Sequence, residues 1–290
     1  MKFLLIYPPR KRDSVMYPPT SLIYISSSIR DAGHEAEIVD IPYLLKKYPD
    51  QYNLEDGSLY DYILSKKFDI LGCGGVVSTY FFYEDFIKAV REKKKDIPII
   101  VGGTVGVPIL EVWENFSDVN YLVEGDGEEV IKQFCKYFEN NNEKLNTIPG
   151  LYINQNGKFK GNPPKVIKNI DKIPFLNYDE IDYEYYIEYL TKWTYRFTPD
   201  RSVYDGRQLR LLPFLMSRGC PFLCSFCFHF NRTHRYHTVE YVINNIKYLQ
   251  RKYNVNLFYI IDDLFIFRAK WVVELCDEII AQKLNVYFFG

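Results

Sequence analysis

The first 145 residues alternate short, almost wholly apolar runs with longer segments in which apolar positions recur at helical spacing. The runs fall at 2–7, 36–40, 69–73, 98–102 and 120–124, and the helical patterns at 21–32, 58–66, 82–94, 108–115 and 128–140. Runs without polar alternation fit strands buried on both faces, and strands separated by helices fit a parallel sheet. The pattern therefore predicts a flavodoxin-like doubly wound α/β domain over 1–145, with any ligand outside the carboxyl ends of its strands. Residues 150–161 read as a hairpin turning at Asn156-Gly157. A proline-bearing connector and a tyrosine-rich helical run follow, completing a linking segment over 146–208. The tyrosines there suit half-wet packing surfaces better than a relay. From Leu211 the βα rhythm resumes, with strands at 211–215, 257–261 and 286–289 and helices at 239–252 and 269–283. Residues 209–290 thus read as the first part of a βα barrel, whose active site would lie at the strands' carboxyl ends.

Those ends carry the polar and small residues. Strand one ends in Tyr7-Pro8-Pro9, the third in Gly72-Cys73-Gly74-Gly75, the fourth in Gly102-Gly103-Thr104 and the fifth in Glu124-Gly125-Asp126-Gly127-Glu128. None is a dinucleotide fingerprint or a Walker loop. Each alone reads equally as a tight turn or as a place where a ligand approaches the backbone. A net charge of -1 supplies no field for nucleic acid or anionic membrane. The basic runs Arg10-Lys11-Arg12 and Lys93-Lys94-Lys95 read as a solvated loop and a helix's last turn. The apolar opening is too short for a signal peptide or a bilayer span, so the expectation is a cytoplasmic protein with no membrane partner.

The stretch FLMSRGCPFLCSFCFHFN after Leu211 changes the picture. It places Cys220, Cys224 and Cys227 at C-x3-C-x2-C spacing on the loop leaving a buried strand. Three thiolates this close suit zinc or an iron-sulfur cluster. A four-iron cubane held by three cysteines keeps one iron open to a small chelating molecule, which suits chemistry rather than electron storage. The competing reading is a closed Cys3His zinc site using His229, His234 or His237, although their spacings fit no common zinc pattern. Three clustered cysteines cannot all pair as disulfides.

The Arg218-Gly219-Cys220-Pro221 lead-in, the spacing and the aromatic Phe226 resemble the cluster loop of the radical S-adenosylmethionine enzymes. The earlier loops, in order, resemble the cobalamin-binding domain of one subclass of that family. The chain reads Gly-Asp-Gly-Glu at 125–128 where the subclass usually has GEGE, and it lacks a D-x-H-x-x-G motif. The resemblance implies a [4Fe-4S] cluster on Cys220, Cys224 and Cys227, with Phe226 beside bound S-adenosylmethionine. Asp262 and Asp263, directly after the second barrel strand, would meet its amino group; the competing reading of the pair is a solvated turn or a helix cap before Phe265. Ser78, Thr79, Gly102, Gly103 and Gly125 would line cobalamin. The implied function is S-adenosylmethionine cleavage to a 5'-deoxyadenosyl radical for methyl transfer to a small-molecule substrate. A reductant protein such as flavodoxin or ferredoxin would supply the electron. Ring or oxidative chemistry, or a cobalamin-binding remnant, are the alternatives. A tRNA methylthiotransferase is disfavoured, because only Cys73 and Cys135 are available upstream. With two βα units and the start of a third against the usual six, the expectation is a fragment that alone turns over S-adenosylmethionine poorly.

Overall fold

The computed structural model describes residues 1–9, 15–116, 118–140, 144–195, 208–228 and 231–290. Arg10, Lys11, Arg12 and His229, singled out above, lie outside the described residues. The chain forms two compact units. One comprises Met1–Ser14, Pro19–Ile167 and Ile173–Ile181; the other comprises Val15–Pro18, Lys168–Lys172 and Asp182–Gly290.

The first unit runs β1 (Lys2–Tyr7), α1 (Thr20–Asp31), β2 (Glu35–Asp40), α2 (Ile41–Lys47), α3 (Ser58–Ser65), β3 (Ile70–Gly75), α4 (Tyr80–Lys93), β4 (Ile99–Gly103), α5 (Leu110–Glu114), β5 (Tyr121–Val123), α6 (Gly127–Asn140), β6 (Leu151–Gln155) and β7 (Lys158–Gly161). Its sheet has the order β2-β1-β3-β4-β5-β6-β7. The first five strands are parallel in the flavodoxin-like order, as the alternating pattern predicts. Side chains of β1 alternate between two cores. Leu4 and Ile6 pack on one face with Tyr83, Phe86 and Trp113, while Phe3, Leu5 and Tyr7 pack on the other with Ile29 and Phe134. Burial on both faces explains the absence of polar alternation, and each such Leu or Ile is worth about 1.5–3 kcal/mol.

Two features depart from the sequence reading. The short helix α2 follows β2 without a loop. It is started by the Asp40 side chain, which accepts from Tyr43 N at 3.2 Å, and by a proline in its first turn. The predicted hairpin forms with Asn156 and Gly157 at φ 56° and 85°. It is not part of a linking segment, because β6 pairs antiparallel with β5 and extends the first sheet.

The second unit carries α7 (Tyr183–Thr194), β8 (Leu211–Phe214), β9 (Ser217–Arg218), β10 (Arg235–Tyr236), α8 (Val239–Tyr253), β11 (Leu257–Ile260), α9 (Ala269–Ala281) and β12 (Tyr287–Phe289). Strands β12-β11-β8 form a parallel sheet, and β9 and β10 form an antiparallel ribbon. The tyrosine-rich run is α7. It buries Tyr183, Tyr186, Ile187 and Leu190, and its Thr191 hydroxyl accepts Leu211 N of β8 at 2.9 Å. Thr238 caps α8 by accepting from Tyr241 N, and Asn254 ends it in the left-handed conformation at φ 54°.

Candidate functional site

In the first unit, the glycine-bearing loops form one rim at the carboxyl ends of the parallel strands. Register sets Gly74 beside Gly102 and Gly75 beside Gly103. The loops after β3 and β4 then cross-link. Val105 N donates to Gly75 O at 3.3 Å, and Val77 N donates to the Thr104 hydroxyl at 3.1 Å. Tyr83, fully buried on α4, rivets the rim from below. Its hydroxyl lies 2.8 Å from Ile6 O, 2.9 Å from Gly74 O and 3.0 Å from Gly74 N. Burial pushes that hydroxyl's pKa well above its ordinary value, so it serves as a fixed neutral hydrogen-bonding group.

The five residues singled out on this rim differ in what holds them. Ser78 is exposed, whereas Thr79 is buried with its hydroxyl donating to Val76 O at 2.7 Å. Gly103 has φ +80°, and an added Cβ would stand 2.4 Å from Gly75 O. Gly125 has φ +80°, and an added Cβ would stand 2.7 Å from Pro164. The chain's own close packing therefore already requires glycine at these two positions. Gly102 differs: a Cβ there would meet only Val123 at an ordinary 3.7 Å. The unit's one histidine, His34, lies at the opposite rim, where its Nδ1 is 3.3 Å from the Met1 amino nitrogen.

In the second unit, Cys220, Cys224 and Cys227 sit on the loop between β9 and β10. None of the three is in a disulfide; Cys220 is buried and the others exposed. Cys227 N donates to Cys224 O at 3.1 Å, tightening the loop tip, and Phe226 there is 91% exposed. Among the described residues no three His, Cys, Asp or Glu side chains converge at ligating range. The donor set nevertheless fits a cluster by its chemistry: three soft thiols on one short loop, two of them at an open tip.

The neck of this loop is closely held. Gly219 has φ +82°, and an added Cβ would lie 2.6 Å from Thr233 O, so the two arms touch backbone to backbone. Asp262 and Asp263 follow β11 and reach the outgoing arm. Asp262 Oδ1 accepts Met216 N at 2.8 Å, its Oδ2 accepts the Ser217 hydroxyl at 2.6 Å, and Asp263 Oδ2 accepts Gly219 N at 3.2 Å. Burial pushes the Asp262 carboxyl up to about 6 against the lowering effect of the Ser217 and Met216 hydrogen bonds, with the nearby Asp263 charge adding to the rise.

His234 and His237 are engaged by the protein itself. His234 Nε2 lies 2.7 Å from Leu264 O and 3.3 Å from the Ser217 hydroxyl. His237 is 1% exposed, stacks on Tyr241 with ring centres 4.1 Å apart, and directs Nδ1 at Asp171. His234 reads from the sequence only as a candidate zinc ligand, and its contact with Ser217, like that of Asp171 with His237, is not legible there because no spacing rule joins these residues.

Among the described residues no helix is long and apolar enough to cross a membrane. No family model matches the chain. An uncharacterised methyltransferase of Pyrococcus horikoshii is 27% identical over 300 residues, covering 99% of this chain and 58% of its own length. An anaerobic magnesium-protoporphyrin IX monomethyl ester cyclase of Synechocystis is 23% identical, covering 100% of this chain and 55% of the cyclase. The chain thus spans little more than half the length of these relatives.

Among solved structures, the radical S-adenosylmethionine methyltransferase TsrM from Kitasatospora setae, with tryptophan and a cofactor analogue bound, superposes with a TM-score of 0.69 at 17% identity. That likeness covers 97% of this chain and 51% of TsrM. TsrM has also been solved with cobalamin and a [4Fe-4S] cluster. The cobalamin-dependent S-adenosylmethionine radical enzyme OxsB, with aqua-cobalamin and S-adenosylmethionine bound, gives 0.73 at 16% identity, over 99% of this chain and 38% of OxsB. The chain has the α/β fold of the cobalamin-dependent radical S-adenosylmethionine enzymes. Its curated relatives include a methyltransferase and cyclases.

Proposed function

We propose that this chain is the cobalamin-binding and cluster-bearing part of a radical S-adenosylmethionine enzyme, with methyl transfer to an unactivated carbon as its reaction. The observation that carries this reading is the C-x3-C-x2-C loop, which follows the buried parallel strand β8 and the short strand β9 in a fold of this kind. When bound, the cluster would supply the electron that cleaves S-adenosylmethionine to a 5'-deoxyadenosyl radical, and cobalamin would carry the methyl group. Cys220, Cys224 and Cys227 would hold the cluster. Phe226, exposed at the loop tip, offers a flat face to an aromatic group of S-adenosylmethionine, and the exposed Asp263 offers a carboxylate to its amino group. The rim of Ser78, Thr79, Gly102, Gly103 and Gly125 is the proposed seat of cobalamin, with the smooth backbone at Gly102 its closest approach. A small-molecule substrate and a reductant protein such as flavodoxin or ferredoxin complete the proposal, in a cytoplasmic setting.

Anaerobic reconstitution with iron and sulfide tests the reading. Thiolate-bound iron should give broad absorbance in the ~400 nm region, and replacing the three cysteines by Ala should abolish it. Uptake of one zinc and no iron by the unaltered protein would sink the idea. A second reading, radical chemistry without methyl transfer, is favoured by the resemblance to the cyclase. S-methyl label recovered only in methionine and unreacted S-adenosylmethionine, with none in cobalamin or substrate, under conditions that form 5'-deoxyadenosine, would select it.

A further inference from the structure

The two acidic residues after β11 stand as a pair in the sequence, yet the structure gives them different work. Both Asp262 oxygens are turned onto the chain entering the cysteine loop, one taking Met216 N and the other the Ser217 hydroxyl. Asp263 is exposed and uses a single oxygen, for Gly219 N. Ser217 is fully buried and continues the chain of contacts. Its oxygen is 3.3 Å from His234 Nε2, and the same nitrogen is 2.7 Å from Leu264 O. A carbonyl oxygen can only accept, so His234 carries its proton on Nε2 and donates there. Ser217 is then free to donate its own proton to Asp262.

His234 belongs to the returning arm of the loop, immediately before β10, and Ser217 to the outgoing arm in β9. The ribbon pairs these arms, Arg218 with Arg235 and Ser217 with Tyr236. Tyr236 extends the hold. Its hydroxyl donates to Phe265 O at 2.8 Å and accepts Phe267 N and Arg268 N, each at 3.1 Å. Both arms of the cysteine loop are therefore tied to the segment that follows β11.

We propose that Asp262 is a positioning residue and not a ligand of S-adenosylmethionine: with Ser217 and His234 it forms a clasp that closes the neck of the cysteine loop and keeps Cys220 buried. Only the contrast with S-adenosylmethionine binding rests on the function proposed above; the clasp itself is a property of the protein without cofactors. Asp262→Asn is the discriminating variant. Its side-chain oxygen still accepts Met216 N, and its amide faces a Ser217 oxygen that can turn its proton to Leu264 O, 3.3 Å away. Asparagine therefore preserves a clasp, whereas it cannot replace a carboxylate that pairs with an ammonium group.

The test has two arms. In metal-free reduced protein, maleimide labelling of Cys220 is followed by peptide mass spectrometry. Asp262→Ala should speed it about tenfold, the scale of one lost buried hydrogen bond, with Ser217→Ala faster than wild type and Asp262→Asn and Asp263→Asn near wild type. In reconstituted protein, equilibrium dialysis with S-adenosylmethionine should give Asp262→Asn wild-type affinity and Asp263→Asn a clear loss. Unchanged labelling in both Asp262→Ala and Ser217→Ala would overturn the clasp, as would lost affinity in Asp262→Asn with normal labelling. If Asp262→Ala does not fold, Ser217→Ala decides the first arm. If wild-type protein takes up no cluster, the proposed function falls while the labelling arm still decides the clasp.

Discussion

His237 Nδ1 lies 2.7 Å from Asp171 Oδ1, across 66 positions of sequence. The carboxylate fixes the imidazole's proton on Nδ1, and Thr238 N donates to both oxygens of the same group at 3.2 Å. His237 then holds the loop on two sides: its backbone N donates to Met216 O at 2.9 Å, and its carbonyl accepts Trp271 Nε1 at 2.9 Å. Burial drives the imidazole down to about 4, against the opposing pull of Asp171 and with a smaller push from Arg218.

The first prediction follows from that depressed value. His237 is neutral in the fold and protonated below about 6.5 when unfolded, so the stability it contributes is present above pH 6.5 and lost as pH falls toward 4. The difference from 6.5 to about 4 corresponds to about 3 kcal/mol. Asp262 acts with the opposite sign. Its folded value is raised from 3.8 to about 6, so its contribution is full below pH 3.8 and lost as pH rises through 6, again by about 3 kcal/mol. Between pH 4 and 6 the two largely offset one another. In metal-free protein, Asp262→Asn should therefore become steeply less stable on acidification across that range, and His237→Gln less stable on alkalinisation. Denaturant midpoints at half-unit steps of pH check this; parallel profiles for the two variants would contradict it.

Much of this architecture is legible in the chain because its signals are local. β1 is apolar from Phe3 to Tyr7 since both faces are covered there, and Asn156-Gly157 announces a tight turn by its backbone preference alone. What the hairpin pairs with is not local, so it read as part of a linker. Helix α2 was obscured for another reason: its cap, Asp40, is also the last residue of β2, leaving no break to read. The cysteines were conspicuous by spacing, but the clasp around them joins Ser217 to His234 and Asp262 across 17 and 45 positions. The glycines of the rim were visible, and their cause was not. A glycine required by the neighbouring loop and one left open to a ligand look identical until their surroundings are known.

That difference gives the second prediction. Gly103→Ala forces a side chain into the left-handed region and against Gly75 O, and should cost at least about 2 kcal/mol of stability in the cofactor-free protein. Gly102→Ala meets only ordinary contact with Val123 and should leave the melting temperature nearly unchanged. If Gly102 is the closest approach to cobalamin, the same methyl group should still weaken cobalamin binding, read by spectral titration. Equal destabilisation by the two substitutions would contradict the assignment of their different surroundings.

The last prediction concerns the lower face of cobalamin, on the reading that it sits at the carboxyl rim of the first unit. That unit contains one histidine, and His34 immediately precedes β2 at the amino end of the sheet, with its Nδ1 beside the Met1 amino group. β2 has six residues, and a strand rises about 3.3 Å per residue, so roughly 20 Å of sheet separates His34 from the opposite rim. An imidazole reaches only about a third of that distance, and rotation about its two side-chain bonds cannot close the gap. His34 therefore cannot serve as an axial ligand to cobalt. Electron paramagnetic resonance of the protein loaded with reduced cobalamin decides the point. His34→Ala should leave the cobalt lines and any nitrogen splitting unchanged, while its loss of the Met1 contact appears only as a small fall in stability. Nitrogen splitting that is present in wild type and vanishes in His34→Ala would place the cofactor at the other end of the sheet and overturn the proposed rim.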